Sequence, residues 1–542
     1  MSLLRRSFFT LLFFVPVLAA LAAAEKTGPL PDNPNLIEPG RRLYTYLYEL
    51  SRSDATTGKL ISGHWFQSSF SPGKIHTFQV EEALEIRRHT GKWVGLLDGW
   101  ICPDFVAESE PDPIAGAMWY DDMIPEYVLW WRNGGIVHAD ATFAAPLADR
   151  YAPRLEKGLK VDVASVLTPG TPANRRWRAI CDRMSVFFKG LEAQNVPVVF
   201  RPFTEAYLAH FWYSNAPRKL GNEGFIRLYR DLHDYLTLEK KCNNILWEFQ
   251  GGKADPHYPG DAYVDVYGSR SEYVAWKIGP FQKQGDDDIP QGNAELGDYG
   301  VSKRADQAGK PRISWLTWVE TIKRQCPRLA FYITWNKEWG PTKRVGPDDT
   351  YCDYDRGYDA LIAHDYVLTR DEISVTPKPP ALTDGVAADR WIVSRGRWSF
   401  DATAAQVDAA DEGRVLYGNT DWTDYAVQAT VAVPANGESG ILGRCASTNI
   451  FYHLAVSVEG VTLYRRHNHK LDKLGTWAHT FRAGEDCTLK LDFRGDRLEG
   501  YVDLGAGAEK RISVNDDRIP CGCVGLRAVG TAASFTNIQV VP

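Results

Sequence analysis

Residues 174–203, NRRWRAICDRMSVFFKGLEAQNVPVVFRPF, read as one amphipathic helix followed directly by one short strand. Apolar residues recur at spacings of three and four up to residue 194, which is the period of a helix with one buried face. The run VPVVFRPF that follows is rich in β-branched and aromatic residues, which is typical of a strand buried on both faces. A helix that leads into a buried strand is the repeating unit of a parallel sheet with crossover helices.

The same unit recurs between about residues 40 and 370, and a second clear helical pattern covers residues 224–240. Eight candidate strands can be counted, at residues 59–65, 92–99, 134–142, 196–203, 243–249, 263–269, 292–297 and 330–336. Eight parallel strands with intervening helices close a (β/α)8 barrel. We therefore predict an α/β fold of this type over residues 25–373, with the Gly-rich seventh strand as its weakest element.

The chain changes character after residue 373. Residues 374–385, SVTPKPPALTDG, are rich in Pro and predict a linker that few contacts cross, so a fragment ending near residue 375 is expected to fold alone. Residues 386–542 alternate apolar and polar residues between Gly, Asn and Asp turns, which predicts an antiparallel β-sandwich. Segments of this kind include DYAVQATVAV, FYHLAVSV, VTLYRRH, CTLKLDFR, RLEGYVDL and ASFTNIQVV.

The first 24 residues have the pattern of a signal peptide. Two arginines precede an apolar stretch at residues 8–21 and a small-residue site that ends at Ala24. The apolar stretch is shorter than the ~20 residues of a membrane helix, which argues against an uncleaved anchor. We expect cleavage after Ala24, no membrane span in the mature protein, and a secreted or periplasmic location.

Composition narrows the range of partners. The formal net charge of −6 provides no basic surface for a phosphate backbone, so nucleic acid is not expected as a partner. The chain has 18 Trp, 25 Tyr and 23 Phe, whose flat faces suit stacking against sugars. Its nine cysteines lack metal-site spacing, so neither a metal nor a cofactor is expected, and the disulfide pairing and oligomeric state stay open.

Two carboxylates are the candidate catalytic residues. The active site of a (β/α)8 barrel lies at the carboxyl ends of its strands. Glu205 follows the fourth predicted strand, and Glu295 lies at the end of the seventh. Two carboxyl groups that converge from different strands can cleave a glycosidic bond, one as proton donor and the other as nucleophile.

Polar and aromatic residues at other strand ends are candidates for substrate binding, because sugar sites combine polar groups with aromatic surfaces. This set contains Arg201, His210, Trp212, Tyr267, Trp335, His64 and His138, with Asp140, Asp98 and Trp100 as further possibilities. For His64 and His138, hydrogen bonding within loops explains their positions equally well.

Two segments resemble glycoside hydrolase family 26, a barrel family of mostly β-mannanases with some β-1,3-xylanases and mixed-linkage glucanases. RPFTEAYLAHFWYSN is similar to the family's RPxHExxGxWFWW, and NILWEFQGGKADPHYPGDAYVDVYGSRSEY is similar to its NLIWVYSP…YPGDxYVDxxGxDxY. The match runs over most of residues 40–370, and YPGDAYVD is its most specific string.

The resemblance implies a retaining double displacement with Glu205 as acid/base and Glu295 as nucleophile. It implies that Tyr267 donates a hydrogen bond to the nucleophile and that Trp335 lies under the sugar next to the cleaved bond. Three other carboxylates are alternatives for the nucleophile, namely Glu338, Glu248 and Glu272.

Two positions depart from the family pattern. Thr204 replaces the His before the acid/base, and His210 replaces the first Trp after it. Both positions flank the scissile bond, so they bear on substrate choice more than on mechanism. The substrate is expected to be a β-linked polysaccharide or oligosaccharide, with β-mannan first. A β-1,3-xylanase, a mixed-linkage glucanase and a non-catalytic carbohydrate-binding protein stay open.

The C-terminal region resembles concanavalin A-like or laminin G-like sandwiches through TDWTDYAVQATVAV, GILGRC and CVGLRAVGTAASFTNIQVV. Such domains often bind sugars beside a catalytic domain. A purely structural role is the alternative.

Overall fold

The computed structural model describes most of the chain. The described residues are 30–52, 56–66, 80–102, 120–152, 154, 156, 158–268, 289–292, 294–296, 314–335, 340–345, 349–352, 357–382, 387–401, 403–408, 411–467 and 470–542. The predicted signal peptide lies outside these residues. Within them, no helix is both long and apolar enough to cross a membrane.

Eight α-helices occur in the described residues, all in the N-terminal part. They are α1 (Glu38–Arg52), α2 (Glu81–Thr90), α3 (Tyr120–Arg132), α4 (Val163–Leu167), α5 (Pro172–Glu192), α6 (Gly221–Asp234), α7 (Trp315–Gln325) and α8 (Tyr358–Ile362). The same part contains β1 (Leu60–Ile61), β2 (Gly63–Phe66), β3 (Leu96–Cys102), β4 (Ile136–Ala141), β5 (Ala145–Pro146), β6 (Tyr151–Ala152), β7 (Val198–Pro202), β8 (Ile245–Gln250), β9 (Val266–Gly268), β10 (Gln291–Gly292), β11 (Ala294–Leu296), β12 (Tyr332–Thr334), β13 (Thr342–Val345), β14 (Asp349–Cys352) and β15 (Val367–Leu368).

A parallel sheet closes into the barrel. Its strand order is β10-β9-β8-β7-β4-β3-β2-β12-β11. Its two end strands, β10 and β11, are separated in sequence by residue 293 alone, so the sheet begins and ends on neighbouring parts of the chain. All eight predicted strands are present, and the predicted (β/α)8 fold is confirmed.

The inside of the barrel is apolar toward the N-terminal ends of the strands. Leu96, Ile136, Val199, Leu246 and Val266 belong to one buried cluster, and each is 0% exposed. Helix α1 contributes its apolar face to the same cluster, because its Leu and Tyr residues recur at helical spacing. The N-terminal helix therefore closes the bottom of the barrel and leaves the carboxyl ends of the strands for the site.

The C-terminal part is an antiparallel sandwich, as predicted. One seven-stranded sheet has the order β16-β19-β28-β21-β22-β23-β24 and the other β17-β18-β29-β20-β25-β26-β27. The strands are β16 (Ile392–Arg395), β17 (Arg397–Phe400), β18 (Ala404–Asp408), β19 (Glu412–Tyr417), β20 (Tyr425–Ala432), β21 (Glu438–Ser447), β22 (Ile450–Ser457), β23 (Gly460–His467), β24 (Lys470–Ala478), β25 (Asp486–Arg494), β26 (Arg497–Asp503), β27 (Glu509–Asn515), β28 (Cys523–Val529) and β29 (Ala533–Val541).

Polar contacts join the sandwich to the barrel. The carboxylate of Asp421 accepts hydrogen bonds from the Arg87 guanidinium (3.0 Å), the Trp93 indole (2.9 Å) and the Arg370 guanidinium (2.8 Å). A buried carboxylate on α3, Glu126, accepts from both the backbone N–H and the hydroxyl of Thr448. The expectation that few contacts cross the linker is therefore wrong, because single polar residues scattered along the sequence meet at this interface.

Candidate active site

Glu205 lies in a tight turn immediately after β7. Its φ is 58°, and that of Phe203 two residues earlier is 57°. Left-handed backbone is uncommon for residues other than Gly, and such strain concentrates at functional sites, where the surroundings hold it in place. The turn at the end of the fourth barrel strand is therefore an independent sign of function beside the carboxylate itself.

Hydrogen bonds from three sides hold this turn. The Glu205 backbone N–H donates to Oε1 of Gln250, at the end of β8, over 2.6 Å. The Thr204 N–H donates to the Ala141 carbonyl (3.2 Å), and the Tyr213 hydroxyl donates to the Thr204 carbonyl (2.9 Å). The backbone that carries Glu205 is thus fixed to both neighbouring strands.

Glu295 lies in β11, in the seventh position around the barrel. Its backbone pairs with Ile333 of β12, as Ala294 pairs with Tyr332. Its side chain is outside the described part of the chain. Glu205 and Glu295 therefore come from two non-adjacent strands of one barrel, as two carboxylates on opposite sides of a substrate require.

A layer of buried charge lies inside the barrel below the turn. His138 is 0% exposed and bonds Asp98 Oδ1 through Nδ1 (2.7 Å) and Glu248 Oε2 through Nε2 (2.8 Å). Burial by itself would lower the pKa of His138, but the two carboxylates raise it to about 10. The imidazole is therefore protonated at neutral pH and bridges β3, β4 and β8, which are the second, third and fifth strands of the barrel. Of the alternative nucleophiles, Glu248 is committed to this bridge, while Glu272 and Glu338 lie outside the described residues.

Arg201 continues this layer. Its guanidinium donates two hydrogen bonds to the Asp140 carboxylate, from Nε to Oδ1 (2.6 Å) and from Nη2 to Oδ2 (2.5 Å). Both side chains are buried. Asp98, His138 and Asp140 lie close enough together to hold a metal ion. Each of these groups already has a charged protein partner, and the protonated His138 offers no lone pair, so the set fits an ion-pair network better than a metal site.

Aromatic rings line one side of the mouth. The ring of Trp335 lies 5.2 Å from that of Trp65, which lies 4.9 Å from that of Trp100. The Arg154 guanidinium then covers both Trp100 (4.8 Å) and Phe211 (5.4 Å). Trp335 and Trp100 are partly exposed, so this series forms an aromatic wall at the ends of strands one, two and eight.

The other predicted binding residues differ in placement. His210 lies beside Phe211 with its surface largely exposed, and partial desolvation together with the nearby Arg154 and Lys219 lowers its pKa. His64 is fully buried and bonds the Thr334 hydroxyl (2.8 Å) and Glu82 (3.2 Å). Trp212 is 1% exposed and donates its indole N–H to the Phe143 carbonyl. Both His64 and Trp212 therefore support the walls of the site in this structure.

Tyr267 lies on the outer side of the barrel. Its neighbour Val266 belongs to the inner cluster, so strand alternation directs Tyr267 outward. Its hydroxyl is 3.3 Å from that of Tyr258, and the two rings pack edge to face. These contacts place the Tyr267 ring beside Tyr258, which lies in the segment that follows β8.

Sequence reasoning missed three residues of the site: Gln250, Trp65 and Arg154. Gln250 and Trp65 both lie at strand ends, so the rule that identified Glu205 could have found them. Arg154 lies in a connection after β6, where no pattern in the sequence marks it.

Comparison with known proteins agrees with this architecture. The family model of Glycosyl hydrolase family 26 matches residues 33–372. Mannan endo-1,4-beta-mannosidase A and B of Caldalkalibacillus mannanilyticus is 24% identical over 388 residues, 68% of this chain and 68% of that protein. Mannan endo-1,4-beta-mannosidase of Bacillus subtilis is 23% identical over 359 residues, 62% of this chain and 92% of that protein.

Solved structures share the barrel. That of Bacillus subtilis mannanase man26 has a TM-score of 0.51 at 21% identity and covers 64% of this chain and 97% of its own. Similarity at this level shows a common fold. Because the family model covers more than half of the sequence, the chain belongs to glycosyl hydrolase family 26 and is a glycoside hydrolase.

Proposed function

We propose that this protein is an exported endo-β-mannanase that cleaves its substrate with retention of configuration. The observation that carries the proposal is the strained, clamped turn that holds Glu205 at the carboxyl end of the fourth barrel strand. Support for mannan as substrate comes from the relatives, which are named mannan endo-1,4-beta-mannosidases.

In this reaction Glu205 protonates the glycosidic oxygen while the Glu295 carboxylate attacks the anomeric carbon, which gives a glycosyl ester on Glu295 and a free leaving sugar. Glu205, now a carboxylate, then takes a proton from water. The resulting hydroxide attacks the same carbon from the face that the leaving group vacated and releases Glu295. Two inversions give net retention.

The buried charge layer supports this chemistry because its ion pairs fix neighbouring barrel strands relative to one another. His138, Asp98 and Glu248 bridge three strands, and the Arg201–Asp140 pair ties strand three to strand four just before the turn. Groups held in this way do not need to reorganise as charge develops, which is the main electrostatic advantage of an enzyme site.

The aromatic wall favours a polymeric substrate. Trp335, Trp65 and Trp100 extend from the eighth barrel strand to the second, with successive ring centroids 5.2 and 4.9 Å apart. Aromatic faces suit the apolar faces of pyranose rings, and a row of them suits consecutive units of a chain. This arrangement supports internal cleavage of a polysaccharide.

The test is a substrate screen of the purified mature chain with β-1,4-mannan, β-1,3-xylan and mixed-linkage β-glucan, followed by sizing of the products. We expect oligosaccharides of several lengths from mannan, with the β-anomer formed first by NMR. Activity only on xylan or glucan would reassign the substrate. Binding without hydrolysis of any of the three would support a non-catalytic sugar-binding protein instead.

Export is tested separately. The chain is produced in a bacterial host with its first 24 residues intact, and the N-terminus of the protein outside the cytoplasm is sequenced. We expect it to begin at Glu25. Protein retained in the cytoplasm with an intact N-terminus would contradict export.

A further inference from the structure

One face of the sandwich carries a cluster of charged and aromatic residues. The sheet containing β19, β28, β21, β22 and β23 buries one face against its partner sheet through a cross-strand row of fully buried residues, Val415, Leu526, Ile441, Leu454 and Leu463. Strand alternation places the next residues on the opposite face. There, a polar cluster consists of Glu412, Arg414, Arg527, Glu438, His453 and Tyr464.

Arg527 lies at the centre of this cluster. Its Nε donates to Glu412 Oε1 (2.8 Å), and its Nη1 donates to Glu438 Oε1 (3.4 Å) and to His453 Nδ1 (3.2 Å). Arg414 reaches Glu412 from the other side (3.4 Å). The residues of four adjacent strands are thus held in one fixed arrangement of donors and acceptors.

His453 leaves this arrangement incomplete. It is 0% exposed, and burial together with Arg527 and Arg414 lowers its pKa well below the usual range, so the ring is neutral. Since Nδ1 accepts from Arg527, the proton is on Nε2. That N–H has no acceptor among the described residues. A buried donor without a partner costs free energy and is an observation that a ligand oxygen would explain.

The cluster also has the shape of a binding site. Arg527, Gly440, Ala455 and Thr462 lie opposite one another on four adjacent strands, so two small residues occupy the middle of the row. Longer side chains surround them. Glu412, Glu438 and Tyr464 are partly exposed, while Arg414 and Arg527 are buried, so the cluster is accessible from its rim.

The charges indicate the class of ligand. Two arginines face two glutamates and His453 is neutral, so these residues together have no net charge. Arg466, which also faces Glu412, adds one positive charge, and Glu126 of α3, which faces Arg414, adds part of a negative charge because burial raises its pKa to about 7. A phosphate or a uronic acid would need a clear excess of cations. A neutral sugar, whose hydroxyls both donate and accept, matches alternating guanidinium and carboxylate groups, and the Tyr464 ring offers a face for stacking.

We propose that this cluster is a second carbohydrate site that binds one neutral sugar unit. It is separate from the catalytic mouth. The sandwich contacts Trp93 and Asn133, which precede β3 and β4, so it is attached at the N-terminal ends of the barrel strands, opposite the mouth. The proposal does not depend on which polysaccharide the barrel cleaves.

The test is calorimetric titration of the full mature chain with mannose, galactose, glucose, xylose, arabinose and fructose, and with glucuronate as the anionic comparison. We expect at least one neutral sugar to bind, and Tyr464→Ala and Glu438→Gln to weaken it at least tenfold. Tyr501→Ala, on the other sheet, is the matched control and should bind as the parent does. Thermal unfolding and hydrolysis by the barrel report that each variant is folded.

A catalytic-cleft variant separates the two sites. If the proposal holds, Trp335→Ala leaves the monosaccharide affinity unchanged while Tyr464→Ala weakens it at least tenfold. The reverse pattern would show that the sugars bind only in the cleft and would overturn the proposal. Absence of binding by every neutral sugar, or binding of glucuronate alone, would overturn it as well.

Discussion

The side-chain oxygen of Gln250 accepts a hydrogen bond of 2.6 Å from the backbone N–H of Glu205. Gln250 ends the strand next to the one that carries Glu205, so this bond crosses from one strand end to the other. It holds a residue whose φ of 58° is otherwise unfavourable. The position of the proposed acid/base therefore depends on a side chain that does not take part in proton transfer.

We predict that Gln250→Leu lowers kcat on mannan by about tenfold to a hundredfold with little change in KM, because a small displacement of a catalytic group is costly. Steady-state kinetics measure this. Gln250→Glu is the matched variant: it keeps the acceptor oxygen, and its charge should shift the basic limb of the pH profile upward, since a like charge raises the pKa of Glu205. An unchanged kcat in the Leu variant would show that the turn keeps its conformation without the hydrogen bond to Gln250.

Glu205→Gln tests the acid role. This variant cannot protonate the leaving oxygen, so activity on mannan should fall by about a hundredfold or more. The dinitrophenolate of a dinitrophenyl β-mannobioside leaves without protonation, so the variant should cleave this first bond nearly as fast as the parent does. Stopped-flow release of the phenol separates this step from deglycosylation. An equal loss of the fast phase on both substrates would assign the acid to another residue.

The sequence predicts the barrel well because its strands are short buried runs between helices of clear period. All eight strands were predicted, including the Gly-rich one, which corresponds to β10 and β11. Helix α1 was not predicted as the element that closes the barrel, since its partners Ile136 and Leu246 are about a hundred and two hundred residues away. Only the three-dimensional fold brings such segments together.

The site was predictable in part. Glu205, Arg201 and Trp335 follow from the rule that strand ends carry function. The bridge formed by His138 with Asp98 and Glu248 does not, because each is one polar residue in an otherwise buried strand and nothing in the sequence pairs them. Trp212 is predicted from the sequence to stack against a sugar, yet its ring is buried. Residue type alone does not tell which side of a loop faces the cleft.

Glu295→Ala tests the nucleophile. Without the carboxylate no glycosyl ester forms, so turnover should be lost. Azide fits the space left by the side chain and should restore cleavage of an activated mannobioside, with an inverted glycosyl azide as product by NMR. A fluorinated, slowly hydrolysed mannosyl substrate should label Glu295 in the parent protein. Labelling of Glu338 or Glu248 would contradict the assignment while leaving Glu205 unaffected.

The pH dependence of stability should report Glu126, at the barrel–sandwich interface. Burial raises its pKa to about 7 from an ordinary 4.5, although the bonds from Thr448 oppose the rise. The folded state thus binds the proton more tightly than the unfolded one. The resulting stability is complete below about pH 4.5 and is lost as the pH rises through 7.

We therefore predict that Glu126→Gln, which is neutral at every pH, unfolds much like the parent protein at pH 5 and is the more stable of the two at pH 8, by on the order of 2 kcal/mol. Urea unfolding at both values measures the difference. The exposed Glu223→Gln, on α6, is the control and should follow the parent. A difference that does not change between pH 5 and 8 would mean that Glu126 stays ionised in the folded protein.

Asp421→Ala tests whether the sandwich stabilises the barrel. The substitution leaves the guanidinium of Arg370, which is 2% exposed, without its carboxylate. Losing one partner of a buried pair is costly, but 37% of the Asp421 side chain is exposed, so water compensates in part. We expect a loss on the order of 2 kcal/mol in the free energy of unfolding. Asp496→Ala, an exposed aspartate of the sandwich, is the control and should change little.

Because the same contacts vanish when the chain ends near residue 375, that fragment should unfold at lower temperature than the full protein while any folded fraction keeps its catalytic activity. A fragment as stable as the full chain would show that hydrogen bonds to water compensate Arg370, Trp93 and Arg87 for the loss of Asp421.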